Sequence, residues 1–130
     1  MTDACLLDTS VVLLAMAAPE KLPSSVRAAL GRGPNVLSVI TYWEVILKCG
    51  KGKLDVGDPR AWWETAMSDL AATPLPLRPE HVAEIHRLAP IHQDPFDRAL
   101  IAQAMVEELT LVTTDAAIVR YAGGGFRVLR

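Results

Sequence analysis

Five short apolar runs punctuate this chain: ACLL (4–7), NVLSV (35–39), TPLPL (73–77), TLVTT (110–114) and FRVL (126–129). Runs this short, bounded by turn residues, read as buried strands. The segments between them read as helices. VVLLAMA follows the cap-type residues Thr9 and Ser10 and stops near Pro19. Residues 20–31 end at Gly31, and residues 41–49 close at Gly50. Further helices cover 60–71, 79–88, FDRALIAQAMVEE behind Asp94 and Pro95, and DAAIVRYA from Asp115. Strands alternating with helices imply an α/β fold: a mainly parallel, roughly five-stranded sheet covered on both faces. The two prolines of TPLPL cannot donate to a ladder, which assigns that strand to the sheet edge.

The chain has 130 residues, the size of one domain spanning 1–130 and large enough for a real core. Its apolar content of 51% excludes a disordered chain. No apolar run approaches the ~20 residues that cross a bilayer, so no membrane association is expected. The start, MTDACLLD, carries Asp3 and no basic segment, unlike a signal peptide. The expected location is therefore cytoplasmic. Cys5 and Cys49 form no CxxC pair and read as reduced thiols. His81, His86 and His92 have no cysteine partners at zinc spacing. His81 and His86 do not share a helix face.

Net charge is −2, which lacks the global signature of a nucleic-acid binder. Contact with nucleic acid would have to be local, with a cation offsetting acidic groups. Four carboxylates are candidates for holding one: Asp8, Glu44, Asp97 and Asp115. In open parallel sheets, sites form outside the carboxyl ends of the strands. Asp8 follows the first strand and Asp115 the fourth. Asp97 opens the long helix, and Glu44 lies in the helix after the second strand. Each also has a plain structural role available. Asp8 can cap a helix, although Thr9 and Ser10 already offer hydroxyls. Glu44 can pair with Lys48 on an exposed helix face. Asp94 reads as an N-cap with Pro95 at N1 and Asp97 at N3. Asp115 can cap DAAIVRYA. The case for chemistry rests on the set. Carboxylate oxygens suit hard cations such as Mg²⁺ or Mn²⁺, and such a site can hydrolyse a phosphodiester with metal-activated water. GRGP and AGGGF are glycine-rich, but neither matches a phosphate loop.

With these residues in place, the chain resembles the PIN-domain family, and specifically its VapC-type toxins of toxin–antitoxin pairs. The resemblance is carried in order by LLDTSVVL, SVITYWEVILKCGKGKL, HQDPFDRALIAQA and LVTTDAAI. It implies a three-layer α/β/α domain and an Mg²⁺- or Mn²⁺-dependent endoribonuclease acting on RNA. It further implies a homodimer and a cognate antitoxin laid over the crevice. The family's acids carry over to Asp8, Glu44, Asp97 and Asp115, as metal ligands and catalytic residues. Thr9, Ser10, Asp94 and Thr114 would be supporting polar groups.

Lys48 and Arg98 are candidates for RNA contact, ahead of Lys51 and Lys53. Trp43, Trp62 and Trp63 could stack bases but suit core or dimer packing better. VVLLAMA and AWWETAM are candidate surfaces for a second subunit or the antitoxin. Three other readings compete. A haloacid-dehalogenase-type phosphatase needs a D-x-D pair, whereas Ser10 stands at the third position, and no lysine follows Lys53. A receiver-like Mg²⁺ pocket needs a late lysine, where the chain has Arg120, Arg127 and Arg130. A PIN-like module that binds a partner without catalysis keeps the acids without using them.

Overall fold

Strands β1 (Cys5–Leu7), β2 (Asn35–Ser38), β3 (Ala72–Leu75), β4 (Thr110–Val112) and β5 (Arg127–Leu129) pair side by side, all parallel, in the order β3-β2-β1-β4-β5. The structure is a computed structural model that describes residues 4–90, 94–119 and 127–129. The amino-terminal MTD, His92, Phe126, the AGGGF stretch, Arg120, Arg130 and the end of DAAIVRYA lie outside the described residues. The helices are α1 (Thr9–Ala17), α2 (Ser24–Arg32), α3 (Val39–Gly50), α4 (Pro59–Asp69), α5 (Pro79–Arg87), α6 (Pro95–Glu107) and α7 (Ala116–Val119). The proline-marked strand β3 is at the edge, as its missing donors require.

Successive strand residues face opposite sides of the sheet, and this divides the core into two layers. Leu6 and Leu111 face one layer, filled by Leu100, Ile101 and Ala104 of α6 and flanked by Ile85 of α5. Cys5, Leu7, Leu37 and Val112 face the other, filled by α1, α2 and α4 through Val11, Val12, Val26, Ala29, Trp63 and Ala66. Helix α3 serves both, with Ile40 in the first layer and Val45 in the second.

Local chemistry moves several element ends from their expected positions. The helix expected over 20–31 is split. Pro23 pushes Leu22 into an extended conformation, so a 3₁₀ turn at Pro19–Lys21 ends there and α2 starts only at Ser24. Ser38 ends β2 and caps α3, its Oγ accepting from Ile40 N at 3.0 Å. Val39 is therefore helical rather than part of the strand. β4 stops at Val112, so Thr113 and Thr114 leave the ladder.

A buried polar chain ties α3, α5 and α6 together. Ser38 Oγ donates to Gln103 Oε1 at 2.5 Å, and Gln103 Nε2 donates to the Pro76 carbonyl at 3.2 Å. His81, fully buried, accepts from Arg78 N at Nδ1 (3.0 Å) and meets Glu107 through Nε2 (2.8 Å). Since Nδ1 accepts from a fixed backbone N–H, the network assigns the ring proton to Nε2. Gln103→Leu keeps the side-chain volume but strips Ser38 and Pro76 of partners. It should cost about 2–4 kcal/mol in urea unfolding, through buried groups left unsatisfied.

Candidate active site

Strand order reverses at β1: the chain adds β2 and β3 on one side, then β4 and β5 on the other. The crevice beyond the carboxyl ends of β1 and β4 is thus the switch point of the sheet, where α/β folds bind ligands. Asp8 stands at its floor. Its backbone N donates to the Val112 carbonyl at 3.0 Å, one step past the paired residues Leu7 and Val112. Its Oδ1 accepts from Val11 N at 2.8 Å, so Asp8 itself caps α1. The expectation that Thr9 and Ser10 would leave Asp8 spare is therefore corrected. Both lie inside the first helical turn, where they cannot act as N-caps. Thr9 is buried with its hydroxyl on Thr41 (3.0 Å), and Ser10 is exposed.

Asp8 Oδ2 accepts a short hydrogen bond from the Thr113 hydroxyl, which in turn accepts from Asp115 N at 2.9 Å. The polar support beside the acids is thus Thr113, while Thr114 is exposed. Burial pushes the Asp8 carboxyl up from 3.8 to about 6. The bonds from Thr113 and Val11 oppose this rise, and the negative charges of Asp97 and Asp115 add to it. Three of the four acids therefore share one electrostatic neighbourhood.

The fourth, Glu44, projects from α3 and is only 4% exposed. The Lys48 ammonium lies 2.7 Å from its Oε2 and belongs to a side chain 45% exposed. The expected i, i+4 pair is present, but its acidic member is buried rather than on an exposed face. Glu44 Oε1 is buried with no hydrogen-bond partner among the described residues. The proton on Lys48 is held more tightly than usual, first by the hydrogen bond to Glu44 and further by the charges of Glu44, Asp94 and Asp97. Asp97 acts on both Asp8 and Lys48, which links the two halves of the crevice. Asp94 caps α6 as expected, its Oδ1 accepting from Phe96 N (2.9 Å) and Asp97 N (3.1 Å).

The donor chemistry suits a hard divalent ion, since all four candidates offer carboxylate oxygens and one of these is orphaned and buried. The arrangement is gathered but not closed. Among the described residues, no three acidic, histidine or cysteine side chains already form a cluster that could hold an ion. Asp8, Glu44, Asp97 and Asp115 are the carboxylates that could serve it.

Comparison with known proteins agrees with this fold. A family model described as the PIN domain matches residues 5–124. The chain belongs to the PIN-domain family. No curated protein sequence matches it significantly. Similar solved structures include VapBC2 from Rickettsia felis bound to a promoter DNA fragment, at 14% identity, TM-score 0.72 and 97% of each chain covered. Another is DNA-bound VapBC from Salmonella typhimurium, at 16% identity, TM-score 0.70 and 98% coverage of each chain. A third is VapBC-5 from Mycobacterium tuberculosis, at 20% identity, TM-score 0.64 and 99% coverage of each.

Other expected residues of this PIN domain fall outside the crevice chemistry. Arg98 donates to the carbonyls of Ala89 (3.1 Å) and Ile85 (3.2 Å), finishing the end of α5. That contact gives it a structural role at the end of α5. Trp62 and Trp63 are in the core, with Trp63 stacked on Tyr42 at 4.7 Å. Trp43 is 53% exposed and meets Phe96 edge-on at 5.1 Å.

The raised Asp8 pKa has a definite sign. Below the 3.8 at which the unfolded carboxyl is half ionised, the neutral form predominates in both folded and unfolded chains. Between there and about 6 the unfolded chain ionises first, so this group's contribution to stability falls as pH rises. Asn retains the capping function. Metal-free Asp8→Asn should thus exceed the wild type by about 2–3 kcal/mol above pH 6, with the gap closing towards pH 3.8. Denaturant midpoints measured across that range, with chelator present, check it.

Proposed function

We propose that residues 1–130 form a single PIN domain acting as an Mg²⁺- or Mn²⁺-dependent endoribonuclease, the VapC-type toxin of a toxin–antitoxin pair. The observation that carries this reading is the shared field of Asp8, Asp97 and Asp115 at the switch point, with Glu44 facing it across Lys48. Together they concentrate negative charge that a divalent cation would offset. When bound, the ion would activate water and neutralise charge on the scissile phosphodiester.

The chain's own groups prepare that site. Val11 N and the Thr113 hydroxyl fix the Asp8 carboxylate by one oxygen each. A carboxyl held near 6 is mostly ionised at neutral pH, as a metal ligand must be. Asp94 fixes the start of α6 and with it the position of Asp97. Lys51 and Lys53, exposed past the end of α3, offer positive charge to RNA phosphates in this reading. Among the described residues no helix is long and apolar enough to cross a membrane.

Two apolar surfaces fit the partners of such a toxin. Trp43, Ile46 and Leu47 form an exposed stripe at i, i+3 and i+4 on α3. A second copy of the chain covering this stripe accounts for it best. α1 is apolar all round, and open hollows flank it. One of about 390 Å³ is lined by Ala15, Leu22, Leu30 and Leu70, and one of about 270 Å³ by Leu13, Met16, Val56 and Trp62. These suit side chains of an antitoxin segment. The sequence placed the exposed apolar surface on VVLLAMA and AWWETAM. In the structure Val11, Val12, Trp62 and Trp63 are buried, and the α3 stripe is the more exposed.

Purified protein should cleave RNA with Mg²⁺ or Mn²⁺ and not with EDTA. Asp97→Asn prepared identically should lose more than about 100-fold, since even outer-shell losses at metal sites reach that size. Fragments that persist at equal rate in the variant would overturn the assignment. A Trp43→Glu/Ile46→Glu variant should elute as a monomer, where the wild type elutes as a dimer in light-scattering chromatography.

A further inference from the structure

We propose that the Lys48 ammonium is the built-in counter-cation of this site, which a divalent ion must displace from Glu44 in order to bind. The inference rests on the metal-dependent reading above and deepens it. A carboxylate as buried as Glu44 is costly to leave unpaired. Lys48 supplies that partner from the next helical turn, with Nζ 2.7 Å from Oε2. It satisfies one oxygen and leaves the other bare, since Oε1 has no hydrogen bond among the described residues. A carboxylate bonded on one side only, with its second oxygen buried, is short of one electrophile.

Among the described residues, other charged pairs stand elsewhere: Arg60 with Asp58, Arg78 with Glu107, and Arg87 with Glu84. Lys48, by contrast, feels Asp94 and Asp97 as well as Glu44. It therefore stands where charge from both halves of the crevice converges. Its stem is long and its side chain 45% exposed, so a rotamer change releases the ammonium to solvent without moving the backbone. Once released, it lies at the mouth of the crevice, where an RNA phosphate can take the place of the carboxylate. Lysine suits this exchange better than arginine, whose planar fork would hold the carboxylate through two bonds.

The consequence is an opposed pair of effects that a lysine serving only stability or RNA contact would not give. Removing the ammonium weakens the metal-free protein and strengthens metal binding. The experiment is calorimetric titration of Mn²⁺, without RNA, into full-length wild type, Lys48→Met, Lys48→Gln and Lys48→Arg at neutral pH, with melting temperatures in chelator. Lys48→Met and Lys48→Gln should bind Mn²⁺ about fivefold tighter, the ratio that corresponds to a partly exposed ion pair, and melt lower without metal. Lys48→Arg should bind it more weakly than wild type. Should Met fail to fold, the polar Gln variant decides. Wild-type binding that is not tightened in the Met or Gln variant overturns the role of Lys48 and leaves the metal site standing. No Mn²⁺ binding by any of the four proteins overturns both.

Discussion

The last rung of the β1–β4 ladder sets the geometry of everything above it. Asp8 N donates to the Val112 carbonyl at 3.0 Å, and after that bond the two chains part. One enters α1 through the cap at Asp8. The other turns at Thr113, whose hydroxyl crosses back to the same carboxylate. The register that pairs Leu7 with Val112 also decides which residues face which core layer. A slip of one residue would carry Leu111 from the α6 layer to the α1 layer and move Thr113 away from Asp8. Hydrophobic burial on both sides of the sheet thus protects the alignment of two polar groups at its edge.

That protection is needed because the site opposes the fold. Burial raises the pKa of Asp8 to about 6, and repulsion from Asp97 and Asp115 adds to the rise. At neutral pH the folded chain carries this repulsion and the unfolded chain does not. The hydrogen bonds from Val11 and Thr113 offset part of it, and the Lys48 ammonium offsets the part centred on Glu44. Local strain of this kind persists where the surrounding elements are rigid. Here rigidity comes from the chain of Ser38, Gln103, His81 and Glu107, which joins the start of α3 to α6 and α5. The helices bearing Glu44 and Asp97 are thereby held by buried polar bonds as well as by apolar contact.

The sequence was informative wherever a charge interrupted an apolar segment. Glu44 stands out in VITYWEVIL because it is the only charge between Arg32 and Lys48. Asp94 and Asp97 stand out because Pro95 marks a helix start. The parallel sheet followed from five apolar runs separated by helices, and the prolines of TPLPL marked its edge. Other features had no local signal. Apolar alternation cannot tell where TLVTT leaves the ladder, so Thr113 and Thr114 were indistinguishable until β4 ended at Val112. Three capping residues in a row at Asp8, Thr9 and Ser10 left the true cap open. His81 and Gln103 read as ordinary polar positions on amphipathic helices, and their burial depends on partners 22 or more residues away.

The hardest feature to read was the outer face of α3, because this helix is apolar on more than one side. Ile40 and Val45 fill the two core layers, Glu44 is buried against Lys48, and Trp43, Ile46 and Leu47 face outward. With about 3.6 residues per turn, the faces abut. Trp43 precedes Glu44, Leu47 precedes Lys48, and Phe96, which meets Trp43 edge-on, precedes Asp97. Any partner seated on the exposed stripe would therefore border Glu44 and the Lys48 side chain paired with it. In the proposed reading, subunit contact and metal access would be two sides of one helix, so a change in either would be felt by the other through α3 itself rather than through a distant relay.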